Sequence, residues 1–130
     1  PGHLGLWDPQ TQTAIVIDAV LGDGIYDRAG NRLISPRYYS AADYEATIRR
    51  LRALDPECLL TAHYPVMERD AAREFLDRSL AFVHAVRDAV RAAGTTELWP
   101  LTQQVDAAVG PFPSFTHELA ASVRAHLAEL

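Results

Sequence analysis

A chain of 130 residues is long enough for one domain with a buried core. Its 12 Lys and Arg stand against 17 Asp and Glu, a formal charge of −5. With no basic patch beside that acidic balance, nucleic acid is excluded as the expected partner, and the charge reads first as a solubility feature.

Taken in chain order, residues 3–8 and 13–20 read as a hairpin: Leu4 to Trp7, a turn opened by Asp8-Pro9, then an apolar strand from Thr13 to Val20. Residues 21–39 break into Gly22-Asp23-Gly24, Ala29-Gly30-Asn31 and Ser35-Pro36, predicting a long irregular loop that carries Tyr26, Tyr38 and Tyr39. Ser40 with Asp43 three residues on starts a helix; Tyr44, Ile48, Leu51 and Leu54 mark its apolar face, and Asp55-Pro56 ends it. The strand Cys58–Ala62 follows, making a helix–strand unit of an α/β sheet. The longest helix spans about 70–93, with Ala72, Phe75, Leu76, Leu80, Val83, Val86 and Val90 on one face, and Gly94 placed to close it. Two more helices, about 99–109 and 114–129, flank Gly110-Pro-Phe-Pro113 as an added helical tail.

The single cysteine, Cys58, rules out an internal disulfide and a cysteine-built zinc cluster, and its place in an apolar run suggests a buried thiol. No stretch approaches the roughly 18 apolar residues of a membrane span. No signal peptide is visible at the N-terminus, so a cytoplasmic setting is expected. The chain opens Pro1-Gly2-His3 without an initiator Met, and the expectation is a piece of a longer protein.

Two segments about 45 residues apart carry the chemistry. Ala14-Ile-Val-Ile-Asp18 and Cys58-Leu-Leu-Thr-Ala-His63 are short apolar runs, each ending abruptly in a group able to bind metal. A carboxylate at the end of a buried strand is poorly explained by packing, because Asp is rarely buried unless paired or metal-bound. Other roles stay open: a strand-end Asp also forms turns, and a His before Tyr-Pro also serves as a hydrogen-bonded structural group. His84 falls near the apolar face of the long helix and reads as packing. His117 and His126 read as surface or interhelix contacts, and Trp7 and Trp99 as core or interface.

Three segments in order carry a resemblance: Pro1-Gly-His-Leu-Gly-Leu-Trp-Asp-Pro9, Ile17-Asp18-Ala-Val-Leu-Gly22 and Leu60-Thr-Ala-His63-Tyr-Pro-Val66. Together they resemble the C-terminal half of a metallo-β-lactamase-fold hydrolase. The resemblance implies an α/β fold, the second half of an αβ/βα sandwich over 1–94, with a helical C-terminal extension over 95–130. It implies that Asp18 bridges two zinc-like ions, that His63 binds one of them, and that His3 supports the site without being a ligand. It implies a metal-dependent hydrolase that activates water to cleave an ester, thioester, lactone or amide of a small-molecule substrate. The family's H-x-H-x-D-H segment is absent, so the chain alone is expected to be inactive and to join a missing N-terminal half or another copy of itself. The alternative is a metal-free binding module of the same fold. Tyr26, Tyr38, Tyr39 and Tyr64 are the candidates for a substrate pocket. The chain departs from the family at Ile17, where Gly is common before the Asp, and at Tyr64, where Gly often follows the His. Leu21 stands where the homoserine-lactone hydrolases place a functional Tyr, and the acidic tail is unlike that of the glutathione-thioester hydrolases.

Overall fold

The computed structural model describes residues 3–114 and 116–130; Pro1 and Gly2 of the opening motif lie outside them. Strands β1 (Leu6–Asp8) and β2 (Thr13–Ile17) form the expected antiparallel hairpin. Asp8 fixes its turn, accepting from the Gln10 amide at 2.9 Å and from the Thr11 hydroxyl at 2.6 Å. Helix α1 (Ala41–Leu54) then crosses back to β5 (Cys58–Thr61), which pairs parallel with β2. A short β6 (Met67–Glu68) runs antiparallel to β5 and leads directly into helix α2 (Arg69–Ala92), giving a mixed sheet in the order β1-β2-β5-β6.

The register explains which face is buried. Trp7, Ala14, Leu59 and Met67 stand opposite one another in one row across the four strands. Ala14, Leu59 and Met67 are buried, with Trp7 packed against the same core. The next row, Leu6, Ile15 and Leu60, lies on the other face, where Leu6 is exposed and the other two are only half-buried. The sheet is therefore covered on one side and apolar on the other.

The helices form as the periodicity predicts. Ser40 caps α1, its hydroxyl accepting from the Asp43 amide at 3.1 Å. Tyr44 and Ile48 are buried, whereas Leu54, expected on the same face, is left partly exposed at the helix end. The buried stripe of α2 holds Ala72, Phe75, Leu76, Val83, Val86 and Val90 and also takes in Ser79, whose hydroxyl returns to the Phe75 carbonyl at 2.7 Å. Each fully buried Leu, Ile or Phe of this core contributes roughly 1.5–3 kcal/mol relative to exposure.

Helices α3 (Leu98–Val109) and α4 (Thr116–Leu127) pack on α2 and on each other. Leu101, Val105, Leu119 and Val123 belong to the same buried cluster as Leu59 and Phe75, so the core runs through residue 94 without a break. Among the described residues no helix is long and apolar enough to cross a membrane.

Several expectations are corrected. The stretch 21–39 is not wholly irregular: β3 (Ile25–Tyr26) and β4 (Arg32–Ile34) make a small hairpin of their own. Its turn is built by Asp27, whose carboxylate accepts from Ala29 and Asn31, and the short polar segment gave no alternation to reveal it. Gly94 does not turn α2 off in the left-handed region; Ala93 ends that helix in an extended conformation. Cys58 is half-buried, because it lies on the open side of the sheet opposite Thr13 and Glu68. Trp99, read as a core or interface residue, is exposed on the first turn of α3 and so stands outside the core.

Candidate functional site

The backbone turns sharply where β2 ends. The β2–β5 register shifts between Ile15 and Ile17, and Ile17 itself takes φ +49°, a left-handed conformation that β-branched residues rarely adopt. The Ala19 amide returns to the Val16 carbonyl at 2.8 Å, and the Ala62 amide bonds the Ile17 carbonyl at 3.1 Å. This kink swings Asp18 out of the strand line towards the end of β5. There the chain turns again, the Tyr64 amide donating to the Thr61 hydroxyl at 3.2 Å, and His63 sits in that turn.

Asp18 and His63 meet: Oδ1 of the carboxylate lies 3.2 Å from Nε2 of the imidazole. The Oδ1 atom is shielded from solvent and accepts no hydrogen bond among the described residues. The structure thus brings together the two candidates that the sequence singles out at two strand ends. His3 is exposed and lines, beside Asp18, two adjoining hollows of about 560 and 330 Å³. Among the described residues no group of three or more His, Cys, Asp or Glu is placed to hold a metal ion.

The four tyrosines divide. Tyr38 and Tyr39 line the larger hollow, Tyr39 with its ring exposed and Tyr38 buried. Tyr38 stacks on Tyr44 at 4.6 Å and meets the His126 ring edge-on at 5.6 Å. Burial, with the neighbouring Tyr44 and the Glu129 carboxylate, drives its phenol far above the ordinary value. Tyr44 is pushed up to about 12 by burial, and its oxygen accepts from the Leu21 amide at 3.2 Å. Tyr64 is a loop anchor: its hydroxyl donates to the Gly24 carbonyl and its ring packs edge-on against Phe75 at 4.9 Å. Burial first, then Asp23, raises its phenol. Tyr26 gives its hydroxyl to Asp23 at 2.7 Å.

Gly22 makes the Tyr64 anchor possible. It holds φ +63°, and a Cβ there would meet the Tyr64 hydroxyl at 2.8 Å and Phe75 at 2.9 Å.

The sequence reading missed Arg37 and Glu118. Arg37 lines both hollows, and Glu118 joins it on the smaller one from α4. The Arg37 guanidinium approaches Glu118 through Nε at 3.0 Å and Nη1 at 3.2 Å, and lies 5.9 Å from the Tyr39 ring. A cation next to two tyrosines in a Pro-containing loop was the one local signal; the 81 residues to Glu118 hid the pair.

The remaining histidines line neither hollow, although two of them touch residues that do. His84 joins Glu45 of α1 at 3.2 Å, and His117 stands beside Glu118 at 3.4 Å. His126 is buried with its Nε2 2.9 Å from the Tyr38 oxygen. Compared with known proteins, the chain matches no family model and no curated sequence.

Proposed function

We propose that the chain belongs to a metal-dependent hydrolase of the metallo-β-lactamase kind, with Asp18 and His63 as two of its metal ligands. The observation that carries this reading is the convergence of the Asp18 Oδ1 and His63 Nε2 atoms, 3.2 Å apart at the ends of adjacent parallel strands. Two donors bonded to one tetrahedral ion at about 2.0–2.2 Å would stand roughly 3.3–3.6 Å apart, so a slight widening of the pair would let Asp18 and His63 hold one zinc-like ion. The shielded Oδ1 that accepts no hydrogen bond is the kind of oxygen a cation satisfies. A carboxylate also has a second oxygen with which to bridge a second ion. When bound, such ions lower the pKa of water towards neutrality and stabilise charge on a carbonyl oxygen. Asp18 and His63 would hold and orient such ions, His3 would support the site, and the adjoining hollows would receive an ester, thioester, lactone or amide.

Two ligands cannot hold a catalytic metal pair, so the reading includes association with the remaining half of the fold or with a second copy. The apolar row Leu6, Ile15 and Leu60 on the uncovered sheet face supports that. The test is metal content, by elemental mass spectrometry, on the longest protein that the reading frame encodes. About two zinc-like ions per chain, lost together with turnover in Asp18→Ala, is the expected result; unchanged turnover in that variant would overturn the assignment.

A second reading, a metal-free binding module, is favoured by one observation: the described residues supply no third ligand beside Asp18 and His63. Failure of the long protein to take up zinc would put that reading first.

A further inference from the structure

The smaller hollow is two-sided in its chemistry. Leu21, Ile25 and Ile34 give it an apolar wall, and all three are only half-buried, so they keep apolar surface for a ligand to cover. Arg37 and Glu118 line the same hollow, together with Asp18 and His63. Its volume of about 330 Å³ lies at the small end of the range for ligand pockets.

Among the described residues Arg37 is the one Lys or Arg that lines either hollow. Its side chain is 46% exposed, and its only ion pair among the described residues is with Glu118. Glu118 is the withdrawn partner, its side chain 17% exposed, whereas the guanidinium side of the pair stays open to a second anion. A ligand oxyanion can therefore take over the guanidinium, whose planar fork matches a carboxylate.

From this juxtaposition we propose that the hollow binds a short apolar carboxylate, its chain on Leu21, Ile25 and Ile34 and its anion on Arg37, with Glu118 as the competing internal anion. This deepens the hydrolase reading and rests on it for one consequence: the acyl part of the substrate is short and apolar, and its acid product returns to Arg37. The anion-binding claim stands without metal.

The alternative role for Arg37 and Glu118 is a staple between the 35–39 segment and α4. The two roles differ in sign. If Arg37 reads a ligand, removing its cation weakens binding and removing the Glu118 charge strengthens it. If the pair is only a staple, both changes loosen the wall and weaken binding alike.

The experiment is an NMR titration of the protein with hexanoate, acetate and hexanol, in the presence of a chelator. Hexanoate is expected to bind at least tenfold more tightly than either acetate or hexanol, shifting the Arg37 Nε–H signal together with the Leu21, Ile25 and Ile34 methyls. Arg37→Ala should remove the preference for hexanoate over hexanol, and Glu118→Gln should tighten hexanoate several-fold. Hexanol binding as well as hexanoate, or Glu118→Gln weakening hexanoate, overturns the proposal. Should Arg37→Ala fail to fold, Glu118→Gln alone decides the sign. Hexanoate binding without zinc uptake would leave this proposal standing and remove the hydrolase reading; zinc uptake without hexanoate binding would do the reverse.

Discussion

The Tyr38 hydroxyl and the His126 imidazole meet 2.9 Å apart in the interior, although 88 residues separate them in the chain. The contact ties α4 to the segment that walls the larger hollow. Beside it the Tyr38 amide donates to the Ser122 hydroxyl, which in turn donates to the Pro36 carbonyl at 2.8 Å.

That contact makes stability depend on acid. Burial is the main cause that lowers His126 to about 4; Glu129 and Glu45 oppose the shift, and Arg87 and Arg91 reinforce it. The unfolded chain takes up a proton near the ordinary value of about 6.5, whereas the folded chain does not until about 4. Stability is therefore full above that ordinary value and falls as pH drops through the window between the two, by up to about 3 kcal/mol. Urea unfolding at pH 7 and at pH 4.5 measures the slope, and His126→Gln should flatten it. Equal slopes in both proteins would contradict the assignment.

Ile17→Gly should not harm the fold despite deleting a large apolar side chain. Ile17 is about half exposed and holds φ +49°, so the change relieves backbone strain while losing little burial. We expect a change between neutral and about 1 kcal/mol of added stability, read as a raised melting temperature. A loss of 2 kcal/mol or more would mean that the Ile17 side chain packs in a way its exposure hides.

Gly22→Ala should act in the opposite direction. The left-handed φ and the contacts below 3 Å to Tyr64 and Phe75 both resist a methyl group. A cost of about 2 kcal/mol or more is expected. Tyr64→Phe combined with Gly22→Ala should recover part of it, because the hydroxyl is the nearer obstacle.

Zinc should stabilise the protein only through the strand-end pair. At a free concentration a hundred times its dissociation constant, one ion adds about 2.7 kcal/mol. The melting temperature should rise on adding zinc, return with chelator, and stay unmoved in His63→Ala. A rise that survives His63→Ala would place the ion elsewhere.

Much of the frame was legible because it is written locally. The Ser40 cap, the 3.6-residue stripe of α2 and the two apolar runs that become β2 and β5 each carry their signal within one element. The meeting of Asp18 and His63 followed from those runs being neighbours in one sheet. The β3–β4 hairpin stayed hidden because strands of two and three residues show no alternation. Arg37 and Glu118 stayed hidden because only the packing of α4 brings them together. The Ile17 conformation was invisible for a different reason: nothing in an Ile announces a left-handed backbone.

The tail reaches far back into the chain. Arg32 of β4 donates to the Val109 carbonyl at 2.8 Å and sits 4.8 Å from the Phe112 ring. Glu129 accepts from the first amides of α1, and the Ser114 amide closes onto the Leu33 carbonyl. The tail thereby braces the segments that wall the hollows. Asp18 and His63 stand at strand ends before residue 64, and of the described residues after 97 only Glu118 lines either hollow. Substitutions in the last thirty residues can therefore shift the walls of the hollows from behind, through the segments they brace, without touching Asp18 or His63.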